Sequence, residues 1–339
     1  MILVDSLYIN NGGGLVLLKY LVQKLEEAKL NVFYIFDSRA ASHFSYIEEH
    51  RKIELSNSIF NRYKFYYAFK NKFSSILCFG NIPPPIKSKA MVYVYFHQKL
   101  FIEIPDNFTI KNKIIFYVKQ KIFSLYRKNT DFWITQSDLM RDILAEKYFS
   151  SIKSTILVVP FYPPVLKSEE ISVLKRNKSS FLYVSNSSPH KNHEKLIEAF
   201  CTAYDQTGKG TLTLTIPASS VALCELIFKK KDMGYPIENV GFIERDDLFY
   251  LYCSHEFLIF PSLSESFGLG LVEAIDCGCK VLVSDLPYAF QVCQPSLTFN
   301  PHSADDIKKA ILIAMNNTLQ SSRNNIHNNI NELISLLRD

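Results

Sequence analysis

Short apolar runs alternate with longer amphipathic segments along most of this chain. Met1 to Ile9 and Val32 to Phe36 have the character of buried strands, and between them Leu15 to Ala28 repeats apolar residues at helical spacing. A strand, a helix and a second strand in this order predict a right-handed crossover within a parallel sheet. The pattern therefore favours an α/β fold from the first residues onward.

The same alternation occurs in two series, separated by a change in composition. Three prolines between residues 160 and 164 introduce a charged stretch, and a second strand–helix series starts at Phe181. We therefore predict an N-terminal domain over residues 1–162, a linker over 163–180 and a C-terminal domain over 181–339. The last helix is a candidate to pack back on the N-terminal domain.

The composition is that of a folded cytosolic protein. Hydrophobic residues make up 47% and charged residues 21% of the 339 positions, enough for two cores. The seven cysteines are irregularly spaced, so we expect them to be reduced and mostly buried. No apolar run is long enough to span a bilayer, and the first residues lack the basic lead and cleavage site of a signal peptide. The net charge of +5 fits a partner that carries phosphates.

The most informative segment is Pro261 to Asp276, which reads PSLSESFGLGLVEAID. A buried strand is predicted before it and a helix from Leu269 onward, so Glu265 lies in the connecting loop and Glu273 in the helix. Small residues at a helix start let backbone N–H groups approach a phosphate, and flanking carboxylates suit sugar hydroxyls. These residues predict a site for a nucleotide-linked sugar. Alternatively, both glutamates are solvated charges of the kind that helix N-termini favour.

The string Glu-Ser-Phe-Gly-Leu-Gly-Leu-Val-Glu-Ala, which begins at Glu265, resembles the signature of the retaining glycosyltransferases of family 4, among the glycosyl transferases group 1. This resemblance implies the GT-B fold, in which two Rossmann-like α/β domains face each other across a cleft. It also implies that Glu273 binds the ribose hydroxyls of a nucleotide sugar and that Glu265 binds the sugar ring. The donor-binding residues expected on this basis are Glu273, Phe267, Gly268, Leu269, Gly270, Leu271, Asn186, Gly13 and Gly14.

A second candidate element is the loop from Ser185 to Asn192, which follows the strand predicted at Phe181. A lysine in this loop meets a diphosphate as a point charge beside the N-terminus of the next helix, although it is equally compatible with a solvated surface lysine. The loop resembles the family's Lys-Asn element, which implies that Lys191 neutralises the leaving diphosphate. Many members carry an arginine five or six positions earlier, where this chain has Ser185 or Asn186. We expect Lys191 to act with backbone donors and His190, or with a cation from the first domain.

The first domain carries three polar elements at the predicted carboxyl ends of its strands, where open α/β sheets bind ligands. They are Gly12 to Gly14, Asn81 and His97. The resemblance implies that the glycines admit substrate close to the backbone and that His97 approaches the donor sugar, and we assign Gly12 and Asn81 to the acceptor side. The alternatives are a plain tight turn and a structural histidine. The glycines do not form a G-x-G-x-x-G motif, which disfavours a nicotinamide-dependent oxidoreductase.

Two segments, residues 59–73 and 108–128, interleave basic and aromatic side chains. This composition suits the interface of an anionic membrane, where cations meet lipid phosphates. In the first segment these residues are Arg62, Lys64, Lys70 and Lys72 with Phe65, Tyr66, Tyr67 and Phe69. The alternative is an ordinary helix with a buried aromatic face and a solvated basic face. No nucleic-acid-binding motif is present, so we expect no nucleic-acid partner.

Together these features predict a retaining glycosyltransferase with Glu265, Lys191 and His97 as its catalytic residues. It is expected to move a hexose-type sugar from a UDP- or GDP-linked donor to a glycan, with a lipid-linked oligosaccharide as the expected acceptor, in bacterial surface polysaccharide biosynthesis (O-antigen or capsule). We expect a cytoplasmic protein, peripheral on the inner face of the cytoplasmic membrane, with no cofactor. No metal is expected either, since the chain lacks an Asp-x-Asp pair. The alternative is a non-catalytic nucleotide-sugar-binding subunit of a polysaccharide assembly complex, because the family's usual arginine is missing.

Overall fold

The computed structural model describes residues 1–104, 110–150, 152–165 and 176–338. The chain divides into two compact units, one formed by Met1–Pro163 with His327–Asp339 and the other by Pro164–Ile326. Each unit contains a parallel sheet with helices in the connections, which confirms the predicted α/β class. Residues 166–175 of the predicted linker lie outside the described residues.

The first unit is built on a parallel sheet. Its strands are β1 (Ile2–Asp5), β2 (Val32–Asp37), β3 (Lys52–Leu55), β4 (Ser75–Cys78), β5 (Met91–Phe96), β6 (Phe132–Thr135) and β7 (Ile156–Val158). Within the described residues, these seven strands are ordered β3-β2-β1-β4-β5-β6-β7. Because every pair is parallel, the carboxyl ends of the strands meet at one edge of the sheet.

Four helices of the first unit connect these strands. They are α1 (Gly12–Glu27), α2 (Ile59–Phe69), α3 (Ile110–Tyr126) and α4 (Asp138–Tyr148). Ser58 and Ser137 cap α2 and α4, because each hydroxyl accepts a hydrogen bond from a backbone N–H in the first turn of its helix. Among all the residues that the structure describes, no helix has both the length and the apolar character that crossing a membrane requires.

The glycine run Gly12 to Gly14 forms the first turn of α1, so the prediction of a loop over these residues was wrong. Asn11 before it is extended, with φ of −160°, and Gly12 has φ of +59°, a left-handed value that glycine adopts without strain. No heavy atom lies within 4 Å of the positions that a Cβ would take at Gly12 and Gly13. This end of α1 is therefore open at its glycines, beside the carboxyl edge of the sheet.

Arg62 is buried in an ion pair with Asp5, so it is not one of the membrane-facing cations predicted for residues 59–73. Its Nε donates to Asp5 Oδ2 at 2.7 Å, and its two Nη atoms donate to backbone carbonyls at 2.7 and 2.8 Å. Tyr66 donates its hydroxyl to the same carboxylate oxygen at 2.8 Å. Phe65 and Tyr66 are also buried, which removes both from the predicted surface. A buried guanidinium needs these partners because leaving water is costly for a charge.

The second unit repeats the parallel architecture. Its strands are β8 (Asn177–Tyr183), β9 (Thr211–Leu214), β10 (Ile237–Asn239), β11 (His255–Phe260), β12 (Lys280–Ser284), β13 (Cys293–Gln294), β14 (Leu297–Phe299) and β15 (Arg323–Asn324). Among the described residues, six of them form a parallel sheet in the order β10-β9-β8-β11-β12-β14, and β13 pairs antiparallel with β15. The first strand begins at Asn177, four residues before the predicted Phe181.

The helices of the second unit lie in the connections between these strands. They are α5 (His193–Thr207), α6 (Val221–Asp232), α7 (Arg245–Ser254), α8 (Leu269–Asp276), α9 (Pro287–Val292) and α10 (Ala304–Asn316). The apolar residues from Val240 to Phe242 suggest a strand there, but the strand β10 lies just before them, at Ile237–Asn239. The strand ends at Asn239 because that side chain bonds both the N–H and the carbonyl of Ile216, at 2.8 and 3.0 Å, and Gly241 then turns the chain with φ of +77°.

The last helix, α11 (Ile330–Arg338), belongs to the first unit. Its apolar side chains at positions 330, 333, 334 and 337 are buried. Just before it, the Asn328 side chain donates to the Tyr20 hydroxyl at 2.9 Å, and the Asn329 N–H donates to the Pro160 carbonyl at 2.8 Å. The first unit is thus assembled from both ends of the chain.

Candidate functional site

The site of the second unit is built where β11 passes into α8 at the carboxyl edge of the sheet. The strand ends at Phe260, and α8 starts at Leu269. Gly268 forms the N-cap with φ of +82°, a conformation that side chains other than glycine rarely adopt. A Cβ at Gly268 would also lie 3.1 Å from the Leu271 side chain, which is fully buried. Glycine is therefore required for α8 to begin at this point.

Lys191 and Glu265, which are 74 positions apart, meet directly. Lys191 Nζ lies 2.6 Å from Glu265 Oε1, and each side chain is only 12% exposed. The two loops are also joined by their backbones, since the Leu263 N–H donates to the His190 carbonyl at 2.8 Å. Tyr183, at the end of β8, donates its hydroxyl to the Lys191 carbonyl at 2.9 Å. The fold therefore holds a cation and an acid together in a largely desolvated position.

The start of α5, directly after Lys191, is held in place by hydrogen bonds of Asn192 and His193. Asn192 has φ of +63°, and its side-chain amide donates to the carbonyls of Pro261 and Pro301 at 3.2 and 2.8 Å. His193 is buried, with Nε2 2.9 Å from the Ser185 hydroxyl. Burial lowers the pKa of His193 to about 4, and the neighbouring charge of Lys191 acts in the same direction. His193 is therefore neutral near pH 7 and leaves Lys191 as the cation of this loop.

Glu273 lies on α8 with both carboxylate oxygens engaged by α7. Arg245 Nε donates to Oε1 at 3.0 Å, and the buried Tyr252 donates its hydroxyl to Oε2 at 3.2 Å. Burial raises the pKa of Glu273, and Arg245 opposes that rise. Arg245 was not predicted as a site residue, because an arginine followed by two aspartates at a helix start is typical of a solvent-exposed surface.

The two acid–base pairs are linked through Phe260 and Gly270. Lys191 Nζ lies 5.7 Å from the centroid of the Phe260 ring. A Cβ at Gly270 would lie 3.6 Å from that ring and 3.5 Å from the Tyr252 hydroxyl, which in turn bonds Glu273. A Cβ at Gly270 would thus face the interior of the unit at ordinary van der Waals distances, and the role of its backbone in donor binding stays a prediction. Both pairs lie at the same end of the sheet.

Other predicted donor-binding residues differ in what their side chains can offer. Phe267 and Leu271 are buried, and the Leu271 N–H donates to the Gly268 carbonyl at 2.9 Å. Leu269 is half-buried at the first position of α8. Asn186 accepts a hydrogen bond from the Ser188 N–H at 3.0 Å and so shapes its own loop.

In the first unit, three predicted residues come together around His97. The His97 N–H donates to Asn81 Oδ1 at 2.7 Å, and its Nε2 lies 3.0 Å from the Phe79 carbonyl and 3.2 Å from Asn81 Nδ2. A Cβ at Gly14 would lie 3.2 Å from His97 Cε1. Burial lowers the pKa of His97 to about 4, so the ring is neutral near pH 7. With the Nε2 proton directed at Phe79, Nδ1 carries the lone pair.

Three further features concern Asp37, metal binding and the cysteines. Asp37, the acid at the end of β2, receives two hydrogen bonds from the Arg39 guanidinium at 2.8 and 2.7 Å and one from the Tyr8 N–H at 3.2 Å. It is thus held by protein groups. Within the described part of the chain, no cluster of three or more His, Cys, Asp and Glu side chains has the arrangement of a metal site. The seven cysteines are free thiols.

Comparison with known proteins gives the family. Residues 166–333 match the family model for glycosyl transferases group 1. The O-antigen chain mannosyltransferase B of Escherichia coli is 27% identical over 160 residues, covering 44% of this chain and 42% of that protein. The O-antigen chain mannosyltransferase RfbU of Salmonella typhimurium is 27% identical over 215 residues, covering 61% of this chain and 56% of that protein. This chain spans about half the length of these two relatives.

A solved structure gives the fold. HepE of Anabaena, crystallised in complex with UDP and glucose, superimposes with a TM-score of 0.69 at 15% identity and covers 93% of this chain and 90% of its own. This similarity agrees with two parallel-sheet α/β domains and confirms the GT-B prediction. Residues 166–333 of the chain therefore match the glycosyl transferases group 1, and the chain has the GT-B fold.

Proposed function

We propose that this protein is a retaining glycosyltransferase of family 4, which transfers a hexose from a UDP- or GDP-linked donor to a glycan acceptor. The observation that carries the proposal is the Lys191–Glu265 pair, 2.6 Å apart at the carboxyl edge of the second sheet. A diphosphate leaving group needs a cation, and sugar hydroxyls need an acceptor. Both are present side by side, next to the N-terminus of α8.

In the proposed reaction, the bond between the anomeric carbon and the diphosphate oxygen breaks, and the acceptor oxygen bonds to the same face of that carbon. The acceptor proton passes to an oxygen of the departing diphosphate. Negative charge grows on this group in the transition state, and Lys191 stabilises it because a largely desolvated ammonium interacts strongly with developing charge. Lys191 then exchanges Glu265 for phosphate oxygens, while Glu265 accepts hydrogen bonds from sugar hydroxyls.

The remaining residues have supporting roles in this proposal. Glu273 binds the ribose hydroxyls, and the backbone amides from Gly268 to Leu271 bind phosphate at the start of α8. In the first unit, the neutral His97 accepts a hydrogen bond from a sugar hydroxyl at Nδ1, and Asn81 positions that residue by accepting a hydrogen bond from the His97 backbone N–H. The open glycines at positions 12 and 13 allow a sugar to approach the helix start.

The relatives suggest the setting of the reaction. Two curated relatives are O-antigen chain mannosyltransferases, so we propose surface polysaccharide biosynthesis as the process and mannose as the first hexose to test. A lipid-linked oligosaccharide at the cytoplasmic face of the membrane is the proposed acceptor. The relatives' names support a glycan acceptor. We propose that this acceptor is lipid-linked because two helices of the first unit expose apolar side chains among lysines.

Two helices of the first unit expose apolar side chains among lysines. On α2, Phe60 and Tyr67 are 63% and 72% exposed, and on α3, Ile114 and Leu125 are 59% and 60% exposed. Neither α2 nor α3 contains an acidic residue. Apolar groups that enter the headgroup region and cations that meet lipid phosphates are the elements of peripheral membrane binding. We propose that these faces hold the protein on an anionic membrane, without the buried Arg62, Phe65 and Tyr66.

Turnover is the test of the proposed function. The purified protein is incubated with GDP-mannose, UDP-glucose, UDP-galactose or UDP-N-acetylglucosamine and a lipid-linked acceptor fraction, and the released nucleoside diphosphate and glycosylated product are measured. Release with one donor, lost in Lys191→Ala and Glu265→Ala, supports the proposal. Donor binding without acceptor-dependent release in any combination favours the non-catalytic subunit instead.

Membrane binding is tested separately by co-sedimentation with vesicles of phosphatidylcholine alone or with phosphatidylglycerol. We expect binding that increases with the anionic lipid and is weakened in Leu125→Ser and Tyr67→Ser. Phe228→Ser is the matched control, since Phe228 is 72% exposed next to lysines on α6 of the other unit. Binding that ignores lipid charge, or that depends on Phe228, contradicts the assignment.

A further inference from the structure

Glu273 is held in an unusual way for an acid that is proposed to bind ribose. Its side chain is only 7% exposed, and each oxygen already has a protein donor: Arg245 Nε at 3.0 Å and the Tyr252 hydroxyl at 3.2 Å. A carboxylate accepts about four hydrogen bonds through its two oxygens, so capacity remains for two hydroxyl donors. The two donors from α7 fix the plane in which these remaining positions lie.

Burial of this kind works against the charge that ribose binding requires. Desolvation raises the pKa of Glu273, the nearby Asp276 adds to that rise, and Arg245 and Tyr252 lower it. The charge of Glu273 in turn contributes to raising the pKa of the Tyr252 hydroxyl and, more weakly, that of the Cys277 thiol one turn further along α8. Arg245 is the cation that faces the carboxylate, and its side chain is 24% exposed, so it reaches Glu273 from the solvent side.

We propose that Arg245 is a positioning residue for the donor nucleotide: with Tyr252, it keeps Glu273 ionised and oriented so that the carboxylate accepts hydrogen bonds from the ribose 2′ and 3′ hydroxyls. The inference rests on the proposed function, since it concerns the nucleotide half of the same donor site. It adds a residue that neither the sequence pattern nor the family comparison assigns. An ionised acceptor binds hydroxyls much more strongly than a protonated one, so the loss of Arg245 weakens ribose recognition.

The experiment measures ribose recognition directly. The dissociation constants of UDP and GDP and of their 2′-deoxy counterparts are determined by calorimetry between pH 5.5 and 8.5. The wild type is expected to prefer the ribonucleotide that it binds by about tenfold or more, the effect of one hydrogen bond to a charged group. In Arg245→Ala this preference falls at the acidic end and recovers as the pH rises, because Glu273 regains its charge. Arg245→Lys retains most of it, since the cation is kept.

Three controls separate the possible explanations. Tyr252→Phe removes the other donor and keeps the cation, so it is expected to weaken the preference less than Arg245→Ala does, with a smaller dependence on pH. Arg323→Ala, at an exposed arginine of β15 in the same unit, is expected to change nothing. Circular dichroism verifies that each variant is folded.

The possible outcomes separate a failure of the proposed function from a failure of the role proposed for Arg245. A wild-type protein that binds neither UDP nor GDP contradicts the proposed function itself. A wild type that prefers ribose, together with an Arg245→Ala variant that keeps the full preference at every pH, leaves the proposed function intact and overturns the role of Arg245. A loss in Arg245→Ala that is constant across the pH range also overturns it, because the charge of Glu273 is then not the quantity that Arg245 controls.

Discussion

The Lys191–Glu265 pair should be needed twice, once for the stability of the second unit and once for turnover, and the two requirements can be separated. In Lys191→Met, the carboxylate of Glu265 remains in its largely buried position without its partner. In Glu265→Gln, the ammonium of Lys191 is left in the same situation. In the double variant, neither charge is present, so no unpaired ion stays behind.

The magnitude follows from the burial of the pair. Breaking a fully buried ion pair by removing one partner costs about 3–5 kcal/mol, and the 12% exposure of both side chains reduces this to roughly 2 kcal/mol for each single variant. The double variant should cost no more than either single change, which gives a coupling energy of about 2 kcal/mol. For a domain of this size, each single variant should lower the melting temperature by about 4–8 °C.

The assay combines denaturant unfolding of the four proteins in the cycle with donor-dependent release of nucleoside diphosphate. The double variant should be no less stable than either single variant, whereas turnover should stay at least about a hundredfold below wild type in all three. The two variants without Lys191 have lost the cation for the leaving group, and Glu265→Gln has lost the charged acceptor for the sugar hydroxyls. Lys280 and Glu256 provide a matched control pair, 3.4 Å apart and about twice as exposed. Their cycle should give a coupling below about 1 kcal/mol and normal turnover.

Two results would refute this reasoning. A coupling energy near zero means that the two side chains do not interact in solution as they do in the structure. Substantial turnover in the double variant means that neither the cation nor the acid takes part in the reaction. The first result concerns the geometry and the second the chemistry, so they can be told apart.

Three further predictions concern the conformation and charge of single residues. Gly268→Ala should destabilise the second unit by about 1–2 kcal/mol because of its left-handed backbone, whereas Gly270→Ala, which meets only ordinary contacts within a helix, should leave stability unchanged or slightly higher; thermal unfolding compares them. Arg62→Met leaves Asp5 charged and buried, so urea unfolding should show a loss of about 3–5 kcal/mol. The stability of the second unit should fall from pH 6.5 towards about 4, because the unfolded chain binds a proton at His193 that the folded chain excludes, and His193→Gln should reduce this slope.

Each of these expectations has a contrary outcome. Equal losses for both glycine variants would mean that backbone conformation is not what selects glycine at the start of α8. An Arg62→Met protein as stable as the wild type would show that the buried carboxylate of Asp5 does not destabilise the fold when its partner is removed. An acid slope that is unchanged in His193→Gln would assign the pH dependence to other groups.

The architecture was predictable because it depends on local patterns. Apolar strands and amphipathic helices alternate along most of the chain, and parallel topology places the carboxyl ends of the strands of each main sheet at one edge. Lys191 and Glu265 could therefore be expected near each other from the sequence. The placement of α11 in the first unit was only a candidate, because an amphipathic helix does not reveal in its sequence which surface it covers.

The sequence was less informative where a side chain's role depends on its neighbours. Arg62 looked like a membrane-facing cation, since helical spacing does not reveal a buried Asp5 that is 57 positions away. Arg245 was not predicted for the same reason: its role depends on a contact with Glu273, which lies on another helix.

The arrangement of α11 has a consequence for how the protein comes into being. During translation, the second unit is synthesised before α11, the helix that completes the first unit. The N-terminal sheet therefore lacks its contacts with α11 until roughly half of the polypeptide has been added to it. A premature stop after residue 326 would leave the later-made unit whole and damage the earlier one. The contacts with Tyr20 and Pro160 that hold the start of α11 can therefore form only after residues 328 and 329 have been synthesised.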